Sequence, residues 1–286
     1  MKPFRWDISR REQLGQLVDG EEAESYPQFL EDLRRCSARV VATAGPSDLV
    51  FVGRSPESLF DYLSGVLMPS DWSDRLKLMN VSMRFGAFND PRVDAVQAEA
   101  GFRRHLTELG LSPQQILMGP RRVALIDLVD TGSTLQNLSG QLLSWAEEEE
   151  TDVPGVLRKI HFVGVTVRQR TSPHTFRWQQ HAPWLEPYGS GAARNVSAPG
   201  HFWRYLGNTQ AKVSETNPPW RWHDASVKQP PRGATHLAAL RLALRLFDAG
   251  SDPAERRRFT EELSRQRAFR YPWCRKLISQ LRGVAV

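Results

Sequence analysis

Residues 121–135 constrain the fold of this chain more than any other stretch. The run 123–126 is entirely apolar, which is typical of a strand buried on both faces of a sheet. A short polar loop follows, and apolar residues then recur at helical spacing as far as Trp145. This order predicts a strand, a loop and a helix. Because open α/β sheets bind ligands at the carboxyl ends of their strands, the loop is also a candidate site.

The loop has the composition of a phosphate-binding turn. Its members are Thr131, Gly132, Ser133 and Thr134. Gly132 allows backbone amides to approach a ligand closely, and the first N–H groups of the next helix favour an anion. Asp127 and Asp130 stand beside them, at the predicted end of the strand. The alternative is an ordinary strand-to-helix turn in which Asp130 or Thr131 caps the helix.

Residues 123–135 resemble the phosphoribosyl-pyrophosphate loop of the type I phosphoribosyltransferases. That loop has four apolar residues, two acids, two mostly apolar residues, a variable residue and then Thr-Gly-x-Thr. The apolar lead-in, the second acid (Asp127) and the Thr-Gly-Ser-Thr of 131–134 match this pattern. Ile126 stands where the family has its first acid. In the family, both acids usually hold the ribose hydroxyls of the substrate.

The resemblance implies that residues 131–134 hold a ribose 5-phosphate and that Asp127 binds a ribose hydroxyl, directly or through Mg²⁺. Asp130 matches the position that transfers a proton in hypoxanthine-type members, which implies a general acid or base. With Ile126 in place of an acid, two reactions stay open: transfer from a substrate altered at the ribose hydroxyls, or cleavage of a nucleotide. The alternative from another class is a non-catalytic protein that senses a phosphorylated sugar or nucleotide.

A second loop suited to an anion follows the strand predicted at 49–53. Arg54 supplies a positive charge there, while Ser55 and Pro56 are typical of the cap and first residue of a helix. In the resembled family the corresponding turn holds pyrophosphate, so Arg54 and Ser55 are expected to bind that group. A plain strand-to-helix turn with a surface arginine explains the same residues.

The order of elements predicts an α/β fold with a mainly parallel sheet flanked by helices, a phosphoribosyltransferase-like core. The predicted strands are 39–43, 49–53, 76–82, 123–126 and 159–167. The main predicted helices are 21–36, 92–110, 235–249, 251–267 and 271–281. His161, inside the last strand, is expected to be a hydrogen-bonded structural residue rather than a ligand.

The chain divides into four predicted regions. They are a helical segment at 1–36, the α/β core at 37–170, an irregular aromatic hood or variable subdomain at 171–231, and a basic helical segment at 232–286. In the resembled family the hood receives the nucleobase, and Phe176, Trp178 and Trp184 are the candidates for stacking on it. The alternative is that these rings form a small core. Arg84 and residues 85–90 are the candidates for a mobile lid.

Composition limits the class of protein. A chain of 286 residues with 40% hydrophobic and 24% charged residues is typical of a soluble globular protein. No stretch has the length of a membrane span, and the first residues lack the apolar core of a signal peptide. The two cysteines, Cys36 and Cys274, are far apart in sequence. These features favour a cytoplasmic protein with reduced thiols.

Charge is concentrated at the C-terminus. The last 55 residues contain twelve Arg and Lys against five Asp and Glu, whereas the whole chain carries +6. A solvated basic surface is the preferred explanation, and nucleic-acid binding is not expected, because no aromatic–basic groove is evident. The expected partners are phosphoribosyl pyrophosphate or a nucleotide, with a nucleobase or similar acceptor. Whether the protein is a homodimer stays open.

Overall fold

The apolar runs of the chain form one five-stranded parallel sheet. A computed structural model describes residues 4–83, 87–170, 174, 176–222, 224 and 229–283. The strands are β1 (Asp48–Val52), β2 (Leu76–Met79), β3 (Val123–Leu128), β4 (Ile160–Val167) and β5 (Ala193–Ala198). Their order across the sheet is β2-β1-β3-β4-β5, and every neighbouring pair is parallel. The predicted α/β class is confirmed.

Helices cover both faces of this sheet. They are α1 (Phe29–Ala44), α2 (Glu57–Leu67), α3 (Ala95–Glu108), α4 (Pro113–Met118), α5 (Ser133–Glu148), α6 (Val153–Lys159), α7 (Gly200–Arg204), α8 (Ala234–Ser251), α9 (Pro253–Ser264) and α10 (Pro272–Leu281). Alternate side chains of β3 point to opposite faces. Ala124 and Ile126 lie in a core with α1, α2 and α7–α10, whereas Val123 and Leu125 lie in a core with α3–α6.

The strand order reverses between β1 and β3. From β1 the chain passes through α2 to β2, and from β3 it passes through α5 to β4 on the other side. The two connecting helices lie on opposite faces, as right-handed crossovers in opposite directions require. The carboxyl ends of β1 and β3 therefore flank the switch point, the place where sheets of this kind bind ligands.

Helices α2 and α8 cross in backbone contact. A Cβ atom on Gly65 would overlap the carbonyl oxygen of Phe247, and a Cβ atom on Gly250 would overlap the carbonyl oxygen of Tyr62. Glycine at both positions lets the helix axes approach this closely. The C-terminal helices α8–α10 contribute buried side chains to the same core as β1 and β3, so they form one wall of the central fold.

The strand predicted at 39–43 is wrong, because these residues form the last turns of α1. Phe29, Leu33, Val40 and Ala44 recur at helical spacing and are all buried, so the helical period overrides the preference of the β-branched residues for a strand. Gly45, with φ of 67°, then ends the helix and donates its N–H to the carbonyl of Val41.

The irregular region contains a strand that the sequence did not predict. Residues 193–198, inside the predicted hood, form β5 and pair with β4 along its length. The strand carries Arg194, Asn195 and Ser197, so only Val196 and Ala198 mark its buried face. An edge strand with so few apolar residues has no clear period in the sequence.

His161 is a structural residue, as predicted. It is 3% exposed and its Nε2 lies 3.1 Å from the carbonyl oxygen of Ala44, at the end of α1. Arg194 donates to the neighbouring carbonyl of Thr43 at 3.3 Å. These two side chains bind carbonyl groups that the helix end leaves without intrahelical partners. Burial, together with the positive charge of Arg122, lowers the pKa of His161 to about 4.

Candidate functional site

Strand β3 continues beyond the acid that was predicted to end it. Asp127 lies inside the strand, opposite Gly164 of β4, and is 8% exposed. The N–H of Val129 still donates to the carbonyl of Val165 at 2.9 Å. The loop therefore begins near Asp130, which is exposed. Of the two acids in the motif, Asp130 is the one that solvent reaches freely.

The β3–α5 loop presents an uncapped helix start. Helix α5 has Gly132 as its N-cap, with φ of 85° and no capping side chain, so neither Asp130 nor Thr131 caps it. Thr131 is exposed and accepts a long hydrogen bond, 3.4 Å, from the N–H of Ser133. Ser133 and Thr134 are half-buried. An uncapped start with three hydroxyls around it suits a phosphate group.

Trp178 supports this loop from behind. A Cβ atom on Gly132 would lie 2.6 Å from Cε3 of Trp178, and one on Gly164 would lie 2.5 Å from its Nε1. The ring is 1% exposed, and its N–H has no hydrogen-bond partner among the residues that the structure describes. The two glycines therefore make the space in which the indole lies, directly against the turn that precedes α5.

The other two predicted base-stacking residues lie in the same core as Trp178. The ring centroid of Trp184 is 6.1 Å from that of Trp178 and 5.2 Å from that of Phe162. Phe176 is partly buried against the same cluster. The structure thus brings Trp178 to the phosphate loop and places Phe176 and Trp184 in the core that the hood segment shares with α3–α6. Stacking of any of them on a base stays a prediction.

The β1–α2 loop is the second part of the site. Gly53 turns the chain with φ of 75° and donates its N–H to the carbonyl of Met79 at 2.8 Å. Helix α2 begins at Glu57 with Pro56 as its N-cap, so the prediction that Ser55 caps the helix is wrong. Arg54 is half-buried and donates from Nη1 to the carbonyl of Ser214 at 3.3 Å.

A buried charged cluster lies directly behind this loop, and the sequence did not indicate it. Arg5 Nη2 lies 2.6 Å from both carboxylate oxygens of Asp61. Glu57 accepts hydrogen bonds from the N–H of Val213 at 3.1 Å and from the hydroxyl of Ser214. Acids four residues apart, as Glu57 and Asp61 are, normally mark an exposed helix face.

Burial dominates the electrostatics of this cluster. It raises the pKa of Glu57, and it raises the pKa of Asp61 to about 6 although Arg5 opposes the change. Burial also lowers the pKa of Lys212 to about 8, against the attraction of Glu57. Perturbed groups of this kind are concentrated at functional sites, although structural ion networks produce them as well.

The acids at the switch point fit a loosely held Mg²⁺ better than a closed metal site. Within the described residues, no three His, Cys, Asp or Glu side chains are grouped so that they could hold a metal ion. Mg²⁺ commonly uses one or two carboxylates together with substrate phosphates and waters. Asp130, exposed in the loop, and Asp127 beside it could supply that small protein share.

The basic C-terminal helices use several arginines in ion pairs. Arg245 binds Glu22 at 2.8 Å, and Arg265 binds Glu262 at 3.0 Å. The expectation that this surface does not bind nucleic acid stays a prediction.

The lid candidate Arg84 and its neighbours 85–86 lie outside the described residues.

Comparisons with protein-family models, with curated proteins and with solved structures each found no match. The resemblance to the phosphoribosyltransferases therefore stays a prediction that depends on the loop motif and on the fold. In the described part of the chain, every helix is too short or too polar to cross a lipid bilayer.

Proposed function

We propose that the protein binds phosphoribosyl pyrophosphate or a nucleotide at the switch point and transfers or cleaves at the anomeric carbon of the ribose. The main support is that the phosphate-loop motif and the basic β1–α2 loop follow β3 and β1, the two strands that flank the reversal of strand order. The motif is recognised from its sequence, whereas the reversal of strand order follows from how the strands pair. The sequence motif and the sheet topology therefore support this site independently.

The ribose 5-phosphate would bind at the start of α5. The N–H groups of its first turn and the hydroxyls of Thr131, Ser133 and Thr134 would donate to the phosphate oxygens. Gly132 keeps the loop backbone in the left-handed region, and Trp178 holds it from behind. The phosphate thus fixes the position of the sugar relative to β3.

The bond that breaks joins the anomeric carbon to the departing diphosphate oxygen. The acceptor atom forms the new bond to that carbon, and the diphosphate leaves with the electron pair. The carbon passes through a cationic state, which the carboxylates of Asp127 and Asp130 would stabilise. Asp130, the exposed acid, would take the proton that a nitrogen acceptor releases, or supply one when a nucleotide is cleaved.

Arg54 would stabilise the charge that develops on the diphosphate. Bound Mg²⁺ would neutralise part of the same charge.

A second candidate function is a sensor that binds the same ligand without turnover. The observation that favours it is Ile126, which stands at the position of the family's first acid and is completely buried in the core shared with α1 and α2. A residue packed in this way offers no polar group to the ribose, so the sugar has fewer contacts than in the resembled enzymes.

Calorimetric titration with ribose 5-phosphate tests the shared part of both functions. Thr134→Val should weaken binding by about tenfold, because a hydrogen bond to a charged group contributes roughly 1.5–3 kcal/mol. Thr107→Val, at an exposed position on α3, is the matched control and should bind as the wild type does. Equal affinity in all three proteins, or no binding, would contradict the proposed phosphate site.

Release of diphosphate separates the enzyme from the sensor. The wild type, given phosphoribosyl pyrophosphate, Mg²⁺ and a panel of bases, should release diphosphate with at least one base, and a panel of nucleotides tests the reverse reaction. Asp130→Asn should reduce the rate at least about a hundredfold while ribose 5-phosphate still binds. Binding without turnover for every base and nucleotide supports the sensor instead.

A further inference from the structure

The segment 210–214 packs against the β1–α2 loop and the first turn of α2, and side chains from both sides form hydrogen bonds between them. Gln210 Nε2 donates to the hydroxyl of Ser58 at 2.7 Å. In the opposite direction, Glu57 accepts from the N–H of Val213, and Arg54 donates to the carbonyl of Ser214. A part of the chain more than 150 residues away is thereby placed against the loop that the resemblance assigns to diphosphate.

Lys212 is the cation that this segment brings to the loop. Its Nζ lies 3.3 Å from the carbonyl oxygen of Ser55 and 2.8 Å from Oε1 of Gln210. Both acceptors are neutral, and the described residues contain no carboxylate oxygen within 4.0 Å of this ammonium group. The side chain is half-buried, and burial lowers its pKa to about 8. A desolvated ammonium group with neutral ligands favours an anionic partner.

Among the described residues, the carboxylates that attract Lys212 do not contact its ammonium group. Three cations, Arg5, Arg54 and Lys212, lie near two carboxylates. Arg5 and Asp61 are joined by two hydrogen bonds and neutralise each other. Glu57 is 2% exposed, points its carboxylate at Val213 and Ser214, and attracts Lys212 without a direct bond to its ammonium group.

We propose that Lys212 is a diphosphate ligand, which completes with Arg54 and Ser55 a subsite at the carboxyl end of β1. The inference rests on the proposed function and names the residue that distinguishes a ribosyl diphosphate from a ribosyl monophosphate. Since the phosphate loop at α5 holds the 5-phosphate alone, Lys212 should contribute to affinity only when the ligand carries a diphosphate.

Titration of three proteins with two ligands tests this assignment. The wild type should bind phosphoribosyl pyrophosphate more tightly than ribose 5-phosphate. Lys212→Met should lose about tenfold or more in affinity for the first ligand and keep its affinity for the second, because the variant removes a charge-assisted hydrogen bond to the diphosphate. Lys212→Arg, which keeps the charge, should retain most of the difference between the ligands.

Two results would overturn the assignment and leave the proposed function intact. One is unchanged affinity of Lys212→Met for phosphoribosyl pyrophosphate, and the other is an equal loss for both ligands. Failure of the wild type to bind either ligand would instead remove the proposed function itself.

Lysine labelling of the wild type gives a readout that does not depend on how well a variant folds. Inorganic pyrophosphate with Mg²⁺ should protect Lys212 from acetylation, as measured by mass spectrometry of peptides, whereas ribose 5-phosphate should not. Lys276 is exposed, pairs with Asp71 on the C-terminal side of the fold, and should be labelled equally in all conditions. Labelling of Lys212 that pyrophosphate does not change would contradict the subsite.

Discussion

The two loops at the switch point are built in different ways. The β3–α5 loop is almost entirely local: its glycine, hydroxyls and acid lie within five consecutive residues, and the distant residue known to shape it is Trp178. The β1–α2 loop contributes few functional groups of its own. Arg5 from the N-terminal segment and Lys212 from residues 210–214 supply two of the three cations near it.

The difference shows which kind of site a sequence can reveal. A phosphate loop is compact because one helix start and one turn provide most of the donors. A subsite assembled from three distant segments has no such signature, since its residues meet only after the sheet and helices are in place. Variants that act on one loop and not the other can therefore test whether this division holds.

The largest effect is expected at the helix crossing that holds the β1–α2 side. Gly65→Ala or Gly250→Ala would force a methyl group into a backbone carbonyl, and neither helix can move without opening the core. We expect each to lower the free energy of unfolding by more than about 3 kcal/mol, measured by urea denaturation followed by circular dichroism.

Gly140→Ala is the matched control. Gly140 also lies within a helix, α5, but a Cβ atom there would meet nothing within 4 Å. The substitution should leave stability unchanged or raise it by up to about 1 kcal/mol, because alanine has the higher helix propensity. Similar losses at Gly65 and Gly140 would show that the close crossing of α2 and α8 is not what the substitution tests.

The next effect is expected in the β3–α5 loop. Gly132→Ala combines an unfavourable φ of 85° with contact against the Trp178 ring, so we expect a loss of about 2–3 kcal/mol in stability and of ribose 5-phosphate binding. Gly191→Ala tests a positive φ without a side-chain clash, because its φ is 83° and nothing lies within 4 Å. It should cost about 1 kcal/mol and leave binding unchanged. Equal costs at both positions would mean that Trp178 does not constrain the loop.

The smallest effect is expected at His161, which lies near the amino ends of the strands, and it should leave both loops unaffected. The neutral form of His161 is favoured in the folded protein, so its contribution is complete above its unfolded pKa of about 6.5 and is lost as the pH falls toward 4. Between pH 6.5 and pH 5, the contribution of His161 to the free energy of unfolding should fall by about 2 kcal/mol, whereas Asp61 and Glu57, whose pKa values are raised, change the stability in the opposite direction.

Two histidine variants check this assignment. Between pH 6.5 and pH 5, His161→Gln should lose about 2 kcal/mol less stability than the wild type, whereas His181→Gln, at an exposed position, should follow the wild-type pH dependence. The same pH dependence of stability in His161→Gln and in the wild type would assign it to other groups.

Much of the sheet could be predicted from the sequence, because β1, β3 and β4 are short apolar runs. The secondary structure of two segments was predicted wrongly, for opposite reasons. Val40 and Val41 favour a strand in isolation but fall on the buried stripe of α1, whereas β5 carries too few apolar residues to be recognised. Within the site, the motif identified the loop at 131–134. Lys212 could not be found, because its proximity to Ser55 arises only from the tertiary fold.

The close crossing of α2 and α8 at Gly65 and Gly250 also has a consequence for biogenesis. Helix α2 leaves the ribosome roughly 185 residues before the helix that covers it. At ordinary translation rates, the apolar side of α2 stays exposed for about 10 to 40 s until α8 has been synthesised. A nascent chain of this protein therefore exposes an apolar surface while the residues between α2 and α8 are added, and a stop codon placed before α8 should yield a product that chaperones retain or proteases degrade.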